Sequence, residues 1–252
     1  MLRRRRGPKT AAALFVMTGV VLASAGLARA GEPRALLELF TSQGCSSCPP
    51  ADKLLGELSA DPSLVVMSVP IDYWDYLGWK DTLANPAHSA RQRAYSRIRG
   101  DRQVYTPQVV INGAAHALGS DRAAIERAVA LTDQKAGVMS LPVALAKGNT
   151  NLDVQVESAE NEHANAEVWL CPLSKTVSVE ISRGENHGHT MIYHNVVRGW
   201  IKLGDWTGTK ASWHVPTAQI AADGADAAAV VVQEGTHDKP GIILGAAYLP
   251  LQ

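Results

Sequence analysis

Ala35-Leu36-Leu37-Glu38-Leu39-Phe40-Thr41-Ser42-Gln43-Gly44-Cys45-Ser46-Ser47-Cys48-Pro49-Pro50 is the stretch on which the reading of this chain turns. Residues 35–40 form an apolar run of strand length. A helical pattern opens at Pro49-Pro50, where proline is tolerated because the first N–H groups have no partner inside the helix. Leu54, Leu55 and Leu58 then recur at core spacing in a helix over 51–59. Strand, loop and helix follow one another, with two thiols at the junction. Aligned peptide dipoles favour thiolate at a helix N-terminus. A second cysteine three residues on can resolve a mixed disulfide. The local chemistry on offer is thiol–disulfide exchange.

Downstream of this stretch, strand and helix patterns alternate. Residues 63–70 form a second buried strand. The segment Asp72-Tyr73-Trp74-Asp75-Tyr76-Leu77-Gly78-Trp79 mixes aromatics with turn formers, and a helix covers about 86–99. A third strand over 104–111 is interrupted by Thr106-Pro107, and Asn112-Gly113 is a hairpin turn. A short strand over 115–118 leads to a helix over 121–131, with Ile125, Val129 and Leu131 pointing inward. Beyond residue 140 short β-type runs dominate, at 142–146, 152–156, 167–171, 177–182, 192–203, 228–233 and 242–249. Seven short strands with turns between them suggest a β-sandwich.

The first thirty residues read as a secretory leader. Arg3 to Arg6 and Lys9 form a basic start, 11–22 an apolar stretch, and Ala28-Arg29-Ala30 a small-residue cleavage site. An uncleaved membrane anchor is the other reading, which the short apolar stretch disfavours. Arg3 to Arg6 also permit a twin-arginine export route. Six of the 24 basic residues and none of the 24 acidic ones lie in this leader, so residues 31–252 carry a net charge of −6. Such a protein has no electrostatic reason to bind nucleic acid or anionic lipid, and no stable membrane anchor remains after cleavage. Export to the periplasm or beyond would place Cys45 and Cys48 in an oxidising compartment. Cys171, the third cysteine, reads as a small core residue.

The element order with CxxC after the first strand resembles the thioredoxin fold over 34–132, with an insertion at about 71–103. The fold expectation is therefore an α/β thioredoxin-like N-terminal domain over 31–135 and an all-β, sandwich-like C-terminal domain over 140–252. The resemblance implies a cis bond at Thr106-Pro107, with Pro107 beside the CxxC shaping a peptide groove; a trans proline at a strand entry is the alternative. It also implies Cys45 as nucleophile, more exposed and closer to the helix end, and Cys48 as the buried resolving thiol. Glu38 shares a strand face with Leu36 and Phe40. It reads either as a buried acid moving a proton for the resolving cysteine or as a partly exposed carboxylate capping the helix or pairing with Arg34. Gln43-Gly44 before the pair and Ser46-Ser47 within it depart from thioredoxin, so its redox poise does not carry over.

The string from Glu38 to Asp52, the segment Asp72–Trp79, Gly184-Glu185-Asn186 and Tyr193-His194-Asn195-Val196-Val197-Arg198 together resemble an uncharacterised family of secreted, thioredoxin-like bacterial proteins, domain of unknown function family 1223. That resemblance supplies no substrate.

Other residues carry candidate chemistry. Tyr73, Trp74, Tyr76 and Trp79 lie after the second strand, at the sheet end where ligands of open α/β sheets bind. With Thr106 they line a substrate groove or else pack the insertion on the core. His187, His189 and His194 are the candidate metal ligands, though their spacing matches no closed motif; Glu185, Asn186 and Arg198 alternatively form a polar network at a turn. Three functions remain open. The first is a thiol–disulfide oxidoreductase acting on protein thiols or disulfides of the cell envelope with no bound cofactor. The second is a non-catalytic binding module with a structural disulfide. The third is a copper-handling protein using Cys45, Cys48 and a histidine.

Overall fold

In the computed structural model, residues 32–159, 165–221 and 224–251 are described; the leader expected over 1–30 lies outside them. The architecture grows from β1 (Ala35–Thr41), every residue of which is buried. It pairs in parallel with β2 (Leu64–Pro70) and antiparallel with β3 (Gln108–Ile111), which turns through Asn112-Gly113 into β4 (Ala115–Leu118). Side chains alternate across a strand, so β1 feeds two cores. Ala35, Leu37 and Leu39 pack with Ala51, Leu54, Leu55 and Leu58 of α1 (Pro49–Leu58) and with Ile125 and Val129 of α3 (Arg122–Asp133). Leu36 and Phe40 face the other way, toward Tyr95 of α2 (Pro86–Arg99). A strand covered by helices on both faces reads as a continuous apolar run, as this one does.

Helix ends follow local rules. Asn85 caps α2 by accepting from Ala87 N at 2.9 Å, with Pro86 next and Gly100 left-handed at the far end. Asp121 caps α3 by accepting from Ala124 N at 2.9 Å. No helix among the described residues is long and apolar enough to cross a membrane.

The remainder is strands: β5 (Val143–Lys147), β6 (Asn151–Val156), β7 (Ala166–Glu180), β8 (Thr190–Val197), β9 (Ile201–Trp206), β10 (Ala211–Pro216), β11 (Ala227–Thr236) and β12 (Lys239–Pro250). They do not form a separate sandwich domain. One mixed nine-stranded sheet runs β12-β11-β7-β8-β2-β1-β3-β4, with β9 also on β7. A three-stranded antiparallel sheet, β10-β6-β5, packs against part of it through Leu152, Val154 and Val156 on one side and Val168, Leu170 and Val230 on the other.

This overturns the expected thioredoxin-like α/β domain followed by an all-β domain. The free edge of β2 is not a domain boundary. It accepts β8 in parallel, with Ser68 opposite Val196. Asn195, in the left-handed region at φ 48°, donates from Nδ2 to Val66 O at 3.1 Å and seals that seam. Further along, Ile243 N donates to Asn112 O at 3.0 Å, tying β12 to the β3–β4 turn. The result is a mostly-strand protein with three α-helices among the described residues.

A buried ionic network crosses the same junction. Glu38 accepts from Arg91 Nε at 2.6 Å, Arg91 Nη2 at 3.3 Å and Tyr95 OH at 2.5 Å. Arg91 Nη2 also donates to Gln233 Oε1 at 2.9 Å, and Gln233 Nε2 donates to Tyr95 OH at 2.8 Å and Gly241 O at 2.9 Å. The Arg91 guanidinium lies 4.2 Å from the Trp200 ring centre. The network thus joins β1, α2, β11 and the chain just before the apolar part of β12.

Candidate functional site

Cys45 and Cys48 form a disulfide, with Cα atoms 5.4 Å apart. The loop that carries them is tightly turned: Cys45 N donates to Ser42 O at 3.2 Å and Cys48 N to Cys45 O at 3.1 Å. Cys48 is the N-cap of α1, its carbonyl accepting from Ala51 N and Asp52 N. So Cys48, not Cys45, stands at the helix end, contrary to the expected placement. Cys45 is 4% exposed and Cys48 fully buried, while Ser46 and Ser47 between them are exposed.

Two hydroxyls face the Cys45 sulfur. Thr106 Oγ1 donates to Cys45 Sγ at 3.3 Å, and Ser47 Oγ lies 3.4 Å from the same atom. Thr106 Oγ1 in turn accepts from Trp74 Nε1 at 2.7 Å. The Thr106–Pro107 bond is cis, and Pro107 is buried. A Cβ placed on Gly119 would lie 3.0 Å from Ala51 Cβ and 3.1 Å from Pro107 Cβ, so only glycine admits this approach of α1, Pro107 and the β4–α3 turn.

The aromatic segment divides its work. Trp74 reaches Thr106 and stacks on Tyr76, with ring centres 6.1 Å apart; Tyr76 is 76% exposed. Tyr73 is half-buried and its OH donates to Gln92 Oε1 at 3.1 Å. Trp79 Nε1 donates to Gln43 Oε1 at 2.7 Å, two residues before Cys45. Of the expected groove residues, the structure therefore brings Trp74 and Thr106 to the disulfide and uses Trp79 to hold its loop.

Glu38 is not brought to the cysteines. It faces α2, whereas Cys48 begins α1 on the opposite face of β1. Nor is it the exposed partner of Arg34, which lies 3.6 Å from Asp61 instead. Both readings of Glu38 give way to the buried network with Arg91 and Tyr95, because period-two alternation puts it on the Leu36–Phe40 face.

The histidines separate as well. His194 packs against α1: a Cβ on Gly56 would meet its ring at 2.5 Å. His187 and His189 are exposed on the β7–β8 loop. No group of three or more His, Cys, Asp or Glu among the described residues is arranged to hold a metal ion.

Several residues that hold the site were not singled out for it by the sequence. Asn186, on that same β7–β8 loop, donates from Nδ2 to Gln43 O at 2.8 Å and Cys45 O at 3.0 Å. Its position in Gly184-Glu185-Asn186 was the available sign. Asn186→Ala strips both buried carbonyls of their donor, which costs about 1–3 kcal/mol. The expected outcome is faster opening of the disulfide by dithiothreitol; an unchanged opening rate would show that the loop holds its shape without Asn186.

Asp81 is the second such residue. Its Oδ2 accepts from Gln43 N and its Oδ1 from Leu83 N, each at 2.8 Å. Burial pushes its carboxyl up to about 6, against those backbone donors, which hold it down. His88, whose Nδ1 lies 2.9 Å from Pro70 O, is pushed down to about 4, again by burial. The two act oppositely on stability. A carboxyl with a raised folded pKa binds its proton more tightly when folded, so its contribution falls as pH rises from about 4 to about 6. A histidine with a depressed folded pKa is charged more readily when unfolded, so its contribution rises between about 4 and about 6.5. In urea denaturation, the wild-type advantage over Asp81→Asn should therefore shrink with pH across that window, and the advantage over His88→Asn should grow. Parallel curves for either pair would refute the corresponding shift.

A comparison with solved structures finds similarity to the X-ray crystal structure of protein AGR_C_4864 from Agrobacterium tumefaciens, at 29% identity and a TM-score of 0.78, covering 88% of this chain and 96% of that one. A comparison with curated proteins finds no match. The model of the family described as "Protein of unknown function (DUF1223)" matches residues 36–233, a span that takes in the cysteine loop, the aromatic segment and the Asn186 hairpin that closes on them. The chain belongs to that family.

Proposed function

We propose that Cys45–Cys48 is a thiol–disulfide exchange site acting on protein thiols or disulfides outside the cytoplasm. The observation that carries the reading is the pair of hydroxyls, Thr106 and Ser47, placed 3.3 and 3.4 Å from Cys45 Sγ. Hydrogen bonds to a thiolate favour the charged form. They make Cys45 the sulfur on which negative charge is best borne, hence the sulfur that forms the mixed disulfide and later leaves. Cys48 at the N-terminus of α1 closes the cycle as the resolving thiol. The exposed Ser46-Ser47 and the Trp74–Tyr76 stack flank the approach to Cys45. The leader pattern over 1–30 supports an exported site of action, where such exchange has substrates.

A second reading, a structural disulfide in a binding module, is favoured by the 4% exposure of Cys45. Trapping separates the two. Cys48→Ser should accumulate mixed disulfides on Cys45 in cell-envelope extracts, and Cys45→Ser should not. Equal, background-level adducts in both variants would leave the structural reading standing.

A further inference from the structure

Asp52 is the buried acid that the fold leaves unexplained. Acidic residues in the first turn of a helix ordinarily sit in water and offset the dipole. Asp52 lies in that position on α1 but is 3% exposed, and neither carboxylate oxygen has a hydrogen-bond partner among the described residues. Nor does any ion pair reach it among the described residues. The groups around it offer no positive charge: Thr41 at the end of β1, Asp81 on the segment before α2, and Tyr193 on β8. The Thr41 hydroxyl is close enough to act on it, yet its Oγ1 also lacks a partner of normal geometry. An unpaired carboxylate in such a place costs more than a proton does, and burial pushes this carboxyl well above the usual range, with Thr41 opposing and the Asp81 charge adding.

Its place on the helix gives that proton a destination. Asp52 follows Cys48 by four residues, and Asp52 N donates to Cys48 O at 3.1 Å. Residues four apart share one helix face, with Cβ atoms about 5–6 Å apart. Cys48 is as dry as Asp52, so a thiolate released there has little water to draw a proton from. We infer that Asp52 is the proton partner of Cys48 in disulfide exchange, an inference that rests on the exchange reading above. In the opening step an incoming thiolate forms a bond to Cys45 Sγ, the Cys45–Cys48 bond breaks, and its electron pair leaves on Cys48 Sγ. The Asp52 carboxyl gives its proton to that sulfur, leaving a Cys48 thiol and an Asp52 carboxylate. In reverse, the carboxylate takes the proton back as Cys48 Sγ attacks Cys45 and the external thiolate departs. One negative charge enters and one remains at each stage.

The test follows disulfide opening by dithiothreitol across pH, with rates divided by the thiolate fraction of the reagent. In wild type the corrected rate should fall as pH rises and Asp52 loses its proton. Asp52→Asn, nearly isosteric, should open about 100-fold more slowly and without that inflection. Asp52→Glu should restore part of the rate, and Asp81→Asn should keep an inflection but move it to lower pH, since the Asp81 charge no longer adds to that of Asp52. A folded Asp52→Asn protein with the wild-type rate and profile would overturn the inference while leaving exchange intact. A wild-type disulfide that dithiothreitol does not open would overturn both. A readout that needs no Asp52 variant is the Cys48 thiol in Cys45→Ser. Its thiolate absorbance should titrate in two coupled steps, and a single ordinary transition would count against the pairing.

Discussion

Arg91→Ala should lower the unfolding free energy by about 3–5 kcal/mol, the range for removing one partner of a buried ion pair. The cause is what remains. Glu38 is wholly buried, and its two oxygens are served by Arg91 Nε, Arg91 Nη2 and Tyr95 OH. Without the guanidinium it keeps one hydroxyl donor in a dry core, so a buried charge is left underpaired. The loss also detaches Gln233 Oε1 on β11 and empties the space beneath the Trp200 ring. Because those contacts join β1 to the C-terminal strands, the two halves of the sheet should still unfold together in wild type, in one transition by fluorescence and circular dichroism. The double variant Glu38→Leu with Arg91→Met should cost less than Arg91→Ala alone, since it removes both charges at similar volume. A loss below about 1 kcal/mol for Arg91→Ala would show that the pair behaves like a surface contact.

The largest effect on chemistry is expected at Cys45. Cys45→Ser should bring exchange with a reporter disulfide down to the rate of the uncatalysed reaction, because the two thiols that remain, Cys48 and Cys171, are both fully buried. Cys171 is fully buried, and burial pushes its thiol well above the ordinary range, so it is neither nucleophilic nor reachable. Cys48→Ser should differ in kind. It should form one mixed disulfide and stall, since the attacking sulfur survives and the resolving one is gone. Thr106→Val, which keeps shape and removes the hydroxyl 3.3 Å from Cys45 Sγ, should raise the Cys45 thiol pKa in the Cys48→Ser protein. An unshifted thiol would mean that the hydroxyl contact does not bear on the sulfur's charge.

What the sequence made legible was local. The apolar run before Cys45, the proline start of α1, the helix at Pro86–Arg99 and the Asn112-Gly113 turn each follow from a few neighbouring residues, and each lies where the pattern put it. Pairing between distant strands has no such signature. Nothing in the period of β2 says that its outer edge takes β8, so two domains were read where one sheet runs through. Pro172 sits inside β7, and a proline within a strand pattern argues for a break, which divided one 15-residue strand into two. Arg198-Gly199 conversely ends β8 within a run that read as continuous. β10 escapes notice although Ala211, Trp213 and Val215 alternate with Ser212 and His214, because the run is short and closes on Pro216.

The site divides on the same line. The cysteines and Thr106-Pro107 form a contact that motif spacing announces. Asn186 and Asp81 act through partners up to 143 residues away in sequence and Asp52 is set by burial, and only a folded chain shows that they converge on one loop. Glu38 was misassigned for a related reason. A lone acid in an apolar strand points to burial correctly, but only the faces of β1 decide whether it looks at α1 or α2.

The central claim, that Cys45–Cys48 exchanges rather than braces, meets its most direct test in the reduction potential of the pair, measured by equilibrating the protein with dithiothreitol and glutathione buffers. Exchange proteins poise their disulfides between about −270 and about −120 mV, and a value in that range is the predicted result. A potential well below about −300 mV would mark the bond as a fixed brace and contradict the account.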